Sequence, residues 1–261
     1  MKIGFIGCGN MGGALARAVA RSGCGEVLLY DKDTARSAAL ASEIGAGAAD
    51  LGEVAGCDYL FLGVKPNIIS GVLGELSTLV ADTTVIVSMA AGVAIEKIES
   101  ALGKSNPVIR IMPNTPAAYG RGMILYTTSA SVSEDAVAAF TEFMKPAGVL
   151  DRIPESLIDA GSAVSGCGPA FVYMFIEALA DGGVAAGLAR DKAMLYAAET
   201  VLGAATTVLE SGKHPGTLKD AVCSPGGSTI EGVLALEGGG MRGVVSDAVL
   251  AAYEKTKKLG K

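Results

Sequence analysis

The first residues with chemical promise are Gly7, Gly9 and Gly12, in the turn Gly7-Cys8-Gly9-Asn10-Met11-Gly12. Glycines at this spacing allow a tight turn, a close approach of backbone to a diphosphate, and a helix packed hard against a strand. The N–H groups of Asn10, Met11 and Gly12 at such a helix start lack intrahelical partners and sit at the positive end of the helix dipole. Nineteen residues past Gly12 stands Asp31, where a dinucleotide-binding unit places the acid for the adenosine ribose. A lone GxGxxG is a weak signal. Here the apolar run Lys2-Ile3-Gly4-Phe5-Ile6 precedes it, Ala14, Leu15, Ala18 and Val19 follow at helical spacing, and Glu26-Val27-Leu28-Leu29-Tyr30 leads into Asp31. Together they predict dinucleotide binding.

Other stretches of unusual composition sit where strands should end. Lys65, in Val64-Lys65-Pro66, either meets a phosphate or ribose in the cofactor cleft or lies along the surface with its charge in water. Ala90 and Ala91 belong to Ser88-Met89-Ala90-Ala91-Gly92. Asn114, held between Pro113 and Pro116, suits either the nicotinamide amide or the capping of a turn. In Cys223-Ser224-Pro225-Gly226-Gly227-Ser228-Thr229-Ile230-Glu231 two glycines precede a helix start, leaving N–H groups open to a carboxylate or phosphate. Ser228 with Glu231 also fits a capping box, and spacing alone favours that cap. Ser165-Gly166-Cys167-Gly168-Pro169 reads as a second glycine-rich helix entry, with Pro169 in the first turn.

What is missing narrows the chemistry. His214 is the only histidine, and it precedes Pro215 and Gly216 as a loop residue would. There is no cluster of metal-ligand spacing, so no metal is expected. Alcohol oxidation needs a group to take the hydroxyl proton, whereas an imine nitrogen is basic enough to arrive protonated. A cleft poor in titratable groups suits imine reduction better.

The elements that must position these residues alternate. Strands are predicted at 2–6, 26–30, 47–49 (weak), 58–64, 84–87, 108–111, 122–127 and 149–150, with helices at 34–44, 67–79, 94–102 and 133–145 between them. Beyond Pro154 only helices are predicted, at 155–164, 170–186, 190–211, 216–222, 229–236 and 241–258. The fold class is α/β: a Rossmann-type, mainly parallel, doubly wound sheet over 1–154, and an all-helical domain over 155–261 for dimerisation and substrate binding. Residues 197–209 are apolar around much of the helix, as expected of a surface hidden against another subunit.

The 261 residues carry a formal charge of −6, which argues against an extended nucleic-acid or anionic-membrane surface. Lys255, Lys257, Lys258 and Lys261 read as favourable charge at a helix C-terminus. Five scattered cysteines without a CxxC pair point to reduced thiols and a cytoplasmic protein. Glycines interrupt the first twenty residues before a signal-peptide core forms, and the apolar run 170–176 stops at Glu177, short of a membrane span. Half the residues are apolar yet aromatics make up 5%, so small side chains are expected to do much of the packing.

The stretches quoted, from Gly4 to Gly12 through Val64-Lys65-Pro66, Ala90-Ala91-Gly92-Val93, Met112 to Pro116, Ser165 to Pro169, His214-Pro215-Gly216 with Leu218-Lys219-Asp220, and Ser224 to Thr229, together resemble Δ1-pyrroline-5-carboxylate reductase. The resemblance spans nearly the whole chain. It implies NADPH- or NADH-dependent reduction of the cyclic imine to L-proline, with Gly7, Gly9, Asn10, Met11, Gly12, Asp31, Val64, Lys65, Pro66, Ala90, Ala91 and Asn114 around the cofactor and the nicotinamide between the domains. It implies a substrate carboxylate on the N–H groups of Gly227, Ser228 and Thr229, Val222 nearby, and the Thr229 hydroxyl as the catalytic group toward the ring nitrogen. Pairing through C-terminal helices follows too, with decamers common. Ser228 departs mildly from the family's Thr or Ala. Asp31 departs more, since a carboxylate should repel a 2′-phosphate: physics favours NADH, family habit NADPH, and Lys32 offsets part of the charge. Two other readings are a 3-hydroxyacid or 6-phosphogluconate-type dehydrogenase and a non-catalytic dinucleotide sensor. The first needs a lysine early in the helix after Pro169, and none occurs before Lys192.

Overall fold

A computed structural model describes residues 1–259; Lys261 of the predicted basic cluster lies outside the described residues. Eight strands form one sheet: β1 (Lys2–Ile6), β2 (Glu26–Tyr30), β3 (Gly47–Ala48), β4 (Tyr59–Leu62), β5 (Val85–Ser88), β6 (Val108–Met112), β7 (Gly122–Thr128) and β8 (Gly148–Arg152). Their order is β3-β2-β1-β4-β5-β6-β7-β8. All neighbouring pairs are parallel except β6 with β7. A single 3-10 turn, Thr115–Tyr119, joins those two, which suffices for an antiparallel return and is too short for a crossover. The strand order reverses between β1 and β4, and a crevice opens at their carboxyl ends.

Helices cover both faces: α1 (Asn10–Ser22), α2 (Thr34–Ile44), α3 (Leu51–Ala55), α4 (Ile69–Leu76), α5 (Ile95–Leu102) and α6 (Glu134–Met144). Ile3, Phe5 and Phe61 point to the α1 and α6 side with Leu15, Val19, Phe140 and Phe143. Ile6, Leu60, Leu62 and Ile86 point to the other side with Val54, Leu73, Leu76 and Ile98. The scarce aromatics gather at the centre of the first face, where Phe5 stacks on Phe61 at 4.4 Å and Phe143 meets Phe61 edge-on. Small residues share this layer, with Ala16, Ala18, Ala41, Ala117 and Ala147 buried around the aromatic centre. Helix α3 was not expected from periodicity; its Asp50–Glu53 capping box is the signal that marks it.

After Pro154 come α7 (Glu155–Gly161), a π-helical turn (Ser162–Gly166), and α8 (Gly168–Ala185). The expected break at Ser165–Pro169 is instead a bulge inside one continuous helix. Pro169 has no N–H, and its ring would collide with the carbonyl of Ser165 four residues back in a regular helix. The chain widens by one residue: the Cys167 N–H donates to the Ser162 carbonyl, 3.0 Å away. Residues 155–185 are thus long and apolar enough to span a bilayer by length and composition, with mean hydropathy 1.4 and 11% of the most apolar window buried. The sequence reading, which divided this segment at the glycines, missed that length.

Packing divides the chain into Met1–Cys167, joined by the chain from Ala251 onward, and Gly168–Leu250. The division falls later than the expected 154/155. Arg110 on β6, 4% exposed, pairs with Glu155 at 3.2 Å and Asp159 at 2.7 Å, and Ile158 is buried with Met112 and Leu125, so α7 belongs to the sheet. The second unit holds α8, α9 (Arg190–Ser211), α10 (Pro215–Val222), α11 (Ser228–Gly238) and most of α12 (Met241–Leu259). Its buried apolar cluster is Ala180, Ala193 and Ala197, flanked by Ile176 and Val184. Tyr173, Met174, Leu202, Leu209, Val244 and Leu250 are exposed.

Candidate active site

The dinucleotide turn follows directly from residue size. Gly7 has φ +96°, a Cβ there would meet the Gly63 carbonyl oxygen at 2.6 Å, and a Cβ on Gly12 would lie 2.0 Å from the Gly7 carbonyl oxygen. The turn after β1, the first turn of α1 and the end of β4 touch backbone to backbone. Gly9 is the N-cap of α1 and supplies no side-chain cap, and the first turn carries no acid. The N–H groups of Asn10, Met11 and Gly12 are therefore left for an anion. Beside them lies a cavity of about 290 Å³ lined by Gly7, Gly9, Tyr30, Asp31, Lys32, Arg36, Leu51, Val64, Lys65 and Ile68. An open helix N-terminus beside an apolar slot edged by three cations fits a dinucleotide.

Asp31 lies in this cavity, but its carboxylate is already engaged. Oδ2 accepts the Cys8 N–H at 2.8 Å, Oδ1 accepts the Asp33 N–H at 2.9 Å, and Arg36 lies 3.6 Å away. Burial, with the Asp31 charge beside it, pushes the Cys8 thiol up to about 11. Arg36 was missed by the sequence reading. Its signal is positional: Asp33 caps α2, and Arg36 is the residue whose N–H that cap receives, at 3.3 Å.

Lys65, exposed, and Val64, half-buried, line the cavity, and Pro66 opens the turn before α4. Ala90 is buried and Ala91 half-buried in the loop after β5, where the Ala90 N–H reaches the Ser88 hydroxyl at 3.4 Å. Asn114, two residues past β6 at the start of the 3-10 turn, is buried, and both ends of its amide are in use: Nδ2 donates to the Ser165 carbonyl at 2.9 Å and Oδ1 accepts the Met123 N–H at 2.9 Å. It supplies the donor that Pro169 cannot give. That bond, rather than a free amide aimed at a ligand, is what the structure displays.

In the helical unit, Gly227 rather than Ser228 is the N-cap of α11, so the expected Ser228–Glu231 capping box does not form. Gly226, at φ +65°, turns the chain, and the Gly227 N–H donates to the Ser224 carbonyl at 3.0 Å. A Cβ at 227 would lie 2.4 Å from the Ser224 hydroxyl and 3.1 Å from its carbonyl oxygen, so a larger residue at the cap would have to turn the Ser224 side chain aside. The helix tip is thus open, with the N–H groups of Ser228 and Thr229 unclaimed by any side-chain cap, while Gly227 is already engaged. Thr229 is exposed at the tip, and Val222 ends α10.

A family profile described as pyrroline-5-carboxylate reductase dimerisation matches residues 155–259. A second, described as NADP oxidoreductase coenzyme F420-dependent, matches residues 2–92. The pyrroline-5-carboxylate reductase of Escherichia coli K12 is 43% identical over 265 residues, covering 100% of this chain and 98% of the relative. The chain belongs to the pyrroline-5-carboxylate reductase family. The pyrroline carboxylate reductase of Plasmodium falciparum, solved with NADP bound, superposes with a TM-score of 0.89 at 32% identity, covering 100% of this chain and 98% of that one. The Coxiella burnetii pyrroline-5-carboxylate reductase gives 0.90 at 30% identity, over 99% and 98%. The family's fold, a Rossmann-type sheet followed by a helical dimerisation domain, is the fold of this chain. It is an NAD(P)-dependent oxidoreductase.

Proposed function

We propose that this chain reduces Δ1-pyrroline-5-carboxylate to L-proline, the last step of proline biosynthesis, with NADPH as the preferred cofactor. The observation that carries the reading is the open tip of α11: a glycine cap, two unclaimed N–H groups, and a threonine hydroxyl on the first turn. A helix N-terminus of this form takes a carboxylate, and the neighbouring hydroxyl takes the nitrogen adjacent to it in the ring. Ser228 and Thr229 hold the substrate's carboxylate, with Gly227 shaping the tip and Val222 beside it. The Thr229 hydroxyl orients the imine nitrogen or hands it a proton. The reduced nicotinamide, when bound, supplies the hydride. Gly7 and Gly9 with the N–H groups of Asn10, Met11 and Gly12 hold the diphosphate, while Val64, Lys65, Pro66, Ala90, Ala91 and Asn114 build the loops around it.

NADPH is favoured because the charge of Asp31 is offset by two N–H groups and Arg36, while Lys32 and Arg36 both line the cavity. Changing Arg36→Ala is expected to lower kcat/KM for NADPH about tenfold and for NADH about twofold at most, since one charge-assisted contact to a phosphate is lost. Side-by-side kinetics with the two cofactors check this. Equal losses would return the preference to NADH.

The functional helical module runs from Glu155, where the dimerisation profile begins, and it pairs with a second copy, decamers being the larger assembly expected. The apolar 155–185 helix serves that pairing rather than a bilayer. Five free cysteines suit a reducing compartment, the cytoplasm.

A further inference from the structure

We propose that Asp31 is a positioning residue for the dinucleotide turn, acting through the backbone of Cys8 before it acts on any ribose. This rests on the cofactor reading above and deepens it. The turn between β1 and α1 has to hold the N–H groups of α1 toward a diphosphate, and the end of β2 is what fixes it. The Tyr30 carbonyl accepts the Gly7 N–H at 2.8 Å, and the next residue's carboxylate accepts the Cys8 N–H at 2.8 Å. Two consecutive residues, the last of β2 and the one after it, thus grip two consecutive N–H groups of the turn. Asp31 is itself held: its side chain is 11% exposed, its second oxygen receives the Asp33 N–H, and Arg36 closes its outer flank.

The arrangement sorts the N–H groups of the turn by task. Those of Gly7 and Cys8 are consumed internally, and those from Asn10 onward stay open. Without the carboxylate the Cys8 N–H would be left half-buried and unpaired, and the turn would relax toward any acceptor within reach. The consequence is a looser seat for the diphosphate, felt equally by every dinucleotide that uses it. A ribose contact has a different signature: it is lost only with ligands that carry the ribose hydroxyls.

The test is direct binding, which does not depend on imine reduction. Dissociation constants of NADH and of its 2′,3′-dideoxyadenosine analogue are measured calorimetrically for the wild type, Asp31→Ala and Asp31→Asn. Asp31→Ala is expected to weaken both ligands by the same factor, about tenfold, the size of one hydrogen bond to a charged acceptor. Asp31→Asn keeps an oxygen for the Cys8 N–H and is expected to recover affinity to within about threefold of wild type for both ligands. If Asp31→Ala weakens NADH but leaves the dideoxy analogue untouched, the residue is a ribose ligand and the proposal fails. Should the alanine variant not fold, the asparagine variant decides alone: a loss confined to NADH, or a loss above tenfold for both, overturns it. A wild type that binds NADH tightly yet reduces no imine would sink the proposed activity and leave this inference standing.

Discussion

Thr229 sits one residue inside a helix whose cap is glycine, and its hydroxyl makes no hydrogen bond among the described residues. A hydroxyl with no structural task, beside two open N–H groups, is available to a substrate. Thr229→Ala is expected to reduce kcat about 10- to 100-fold if the hydroxyl orients the nitrogen, and further if it is the obligatory acid. Unchanged turnover would remove it from the mechanism. The thiols give a second prediction at this scale. Burial raises Cys8 and Cys57 to about 11 from a reference of 9.0, so both stay neutral in the folded chain where the unfolded chain would ionise. The stability this supports is complete below pH 9 and is lost as the pH rises through 11. Iodoacetamide at pH 8 should therefore label exposed Cys24 first and leave Cys8 and Cys57 unmodified, as peptide mass mapping would reveal. Residue types were legible in the sequence wherever backbone geometry demands them, as at Gly7 and Gly12. Partners were not: that Asp31 faces the Cys8 N–H and Asn114 the Ser165 carbonyl depends on contacts 23 and 51 residues apart.

Elements were legible where period and punctuation agree, which is why β1, α1, β2 and α2 fall where the apolar spacing puts them. The helix at 155–185 shows the limit. Two glycines and a proline read locally as a new helix start, whereas the chain absorbs Pro169 by a π-turn because Asn114, on a distant loop, satisfies the freed carbonyl. The capping box at Ser228 failed for a related reason, since the spacing does not reveal that Gly227 already occupies the cap position. The fastening of α7 to the sheet rests on Arg110, whose guanidinium pairs with Glu155 and Asp159 while Glu155 also accepts the Ile95 N–H that begins α5. Removing it as Arg110→Ala strands two partly buried carboxylates. The expected cost is about 2–3 kcal/mol in urea unfolding, below the full value for a wholly buried pair because both acids reach solvent. A change under about 0.5 kcal/mol, the level of an ordinary surface substitution, would show the cluster to be incidental.

At the scale of the molecule, the two units differ in how they are stabilised. The sheet unit buries large side chains on both faces. The helical unit buries three alanines and leaves Tyr173, Met174, Leu202 and Leu209 in water, together with an apolar hollow of about 470 Å³ between α8, α9 and α12. Exposed apolar surface on this scale marks an interface, and the dimerisation profile covers these helices. Leu202→Glu combined with Val245→Glu is expected to yield monomers in analytical ultracentrifugation, with activity lost in parallel; a dimer that persists would place the interface elsewhere. The need for a partner was legible in the apolar circumference of α9, but the packing boundary at Cys167 was not, because it is set by Arg110. The account's central claim is tested most directly by following NADPH and NADH oxidation with Δ1-pyrroline-5-carboxylate as the sole acceptor, together with chiral analysis of the product. The account predicts one L-proline formed per cofactor oxidised, and no oxidised-cofactor reduction by 3-hydroxyacids. Tight cofactor binding with no oxidation by the imine would contradict it and leave a dinucleotide sensor in its place.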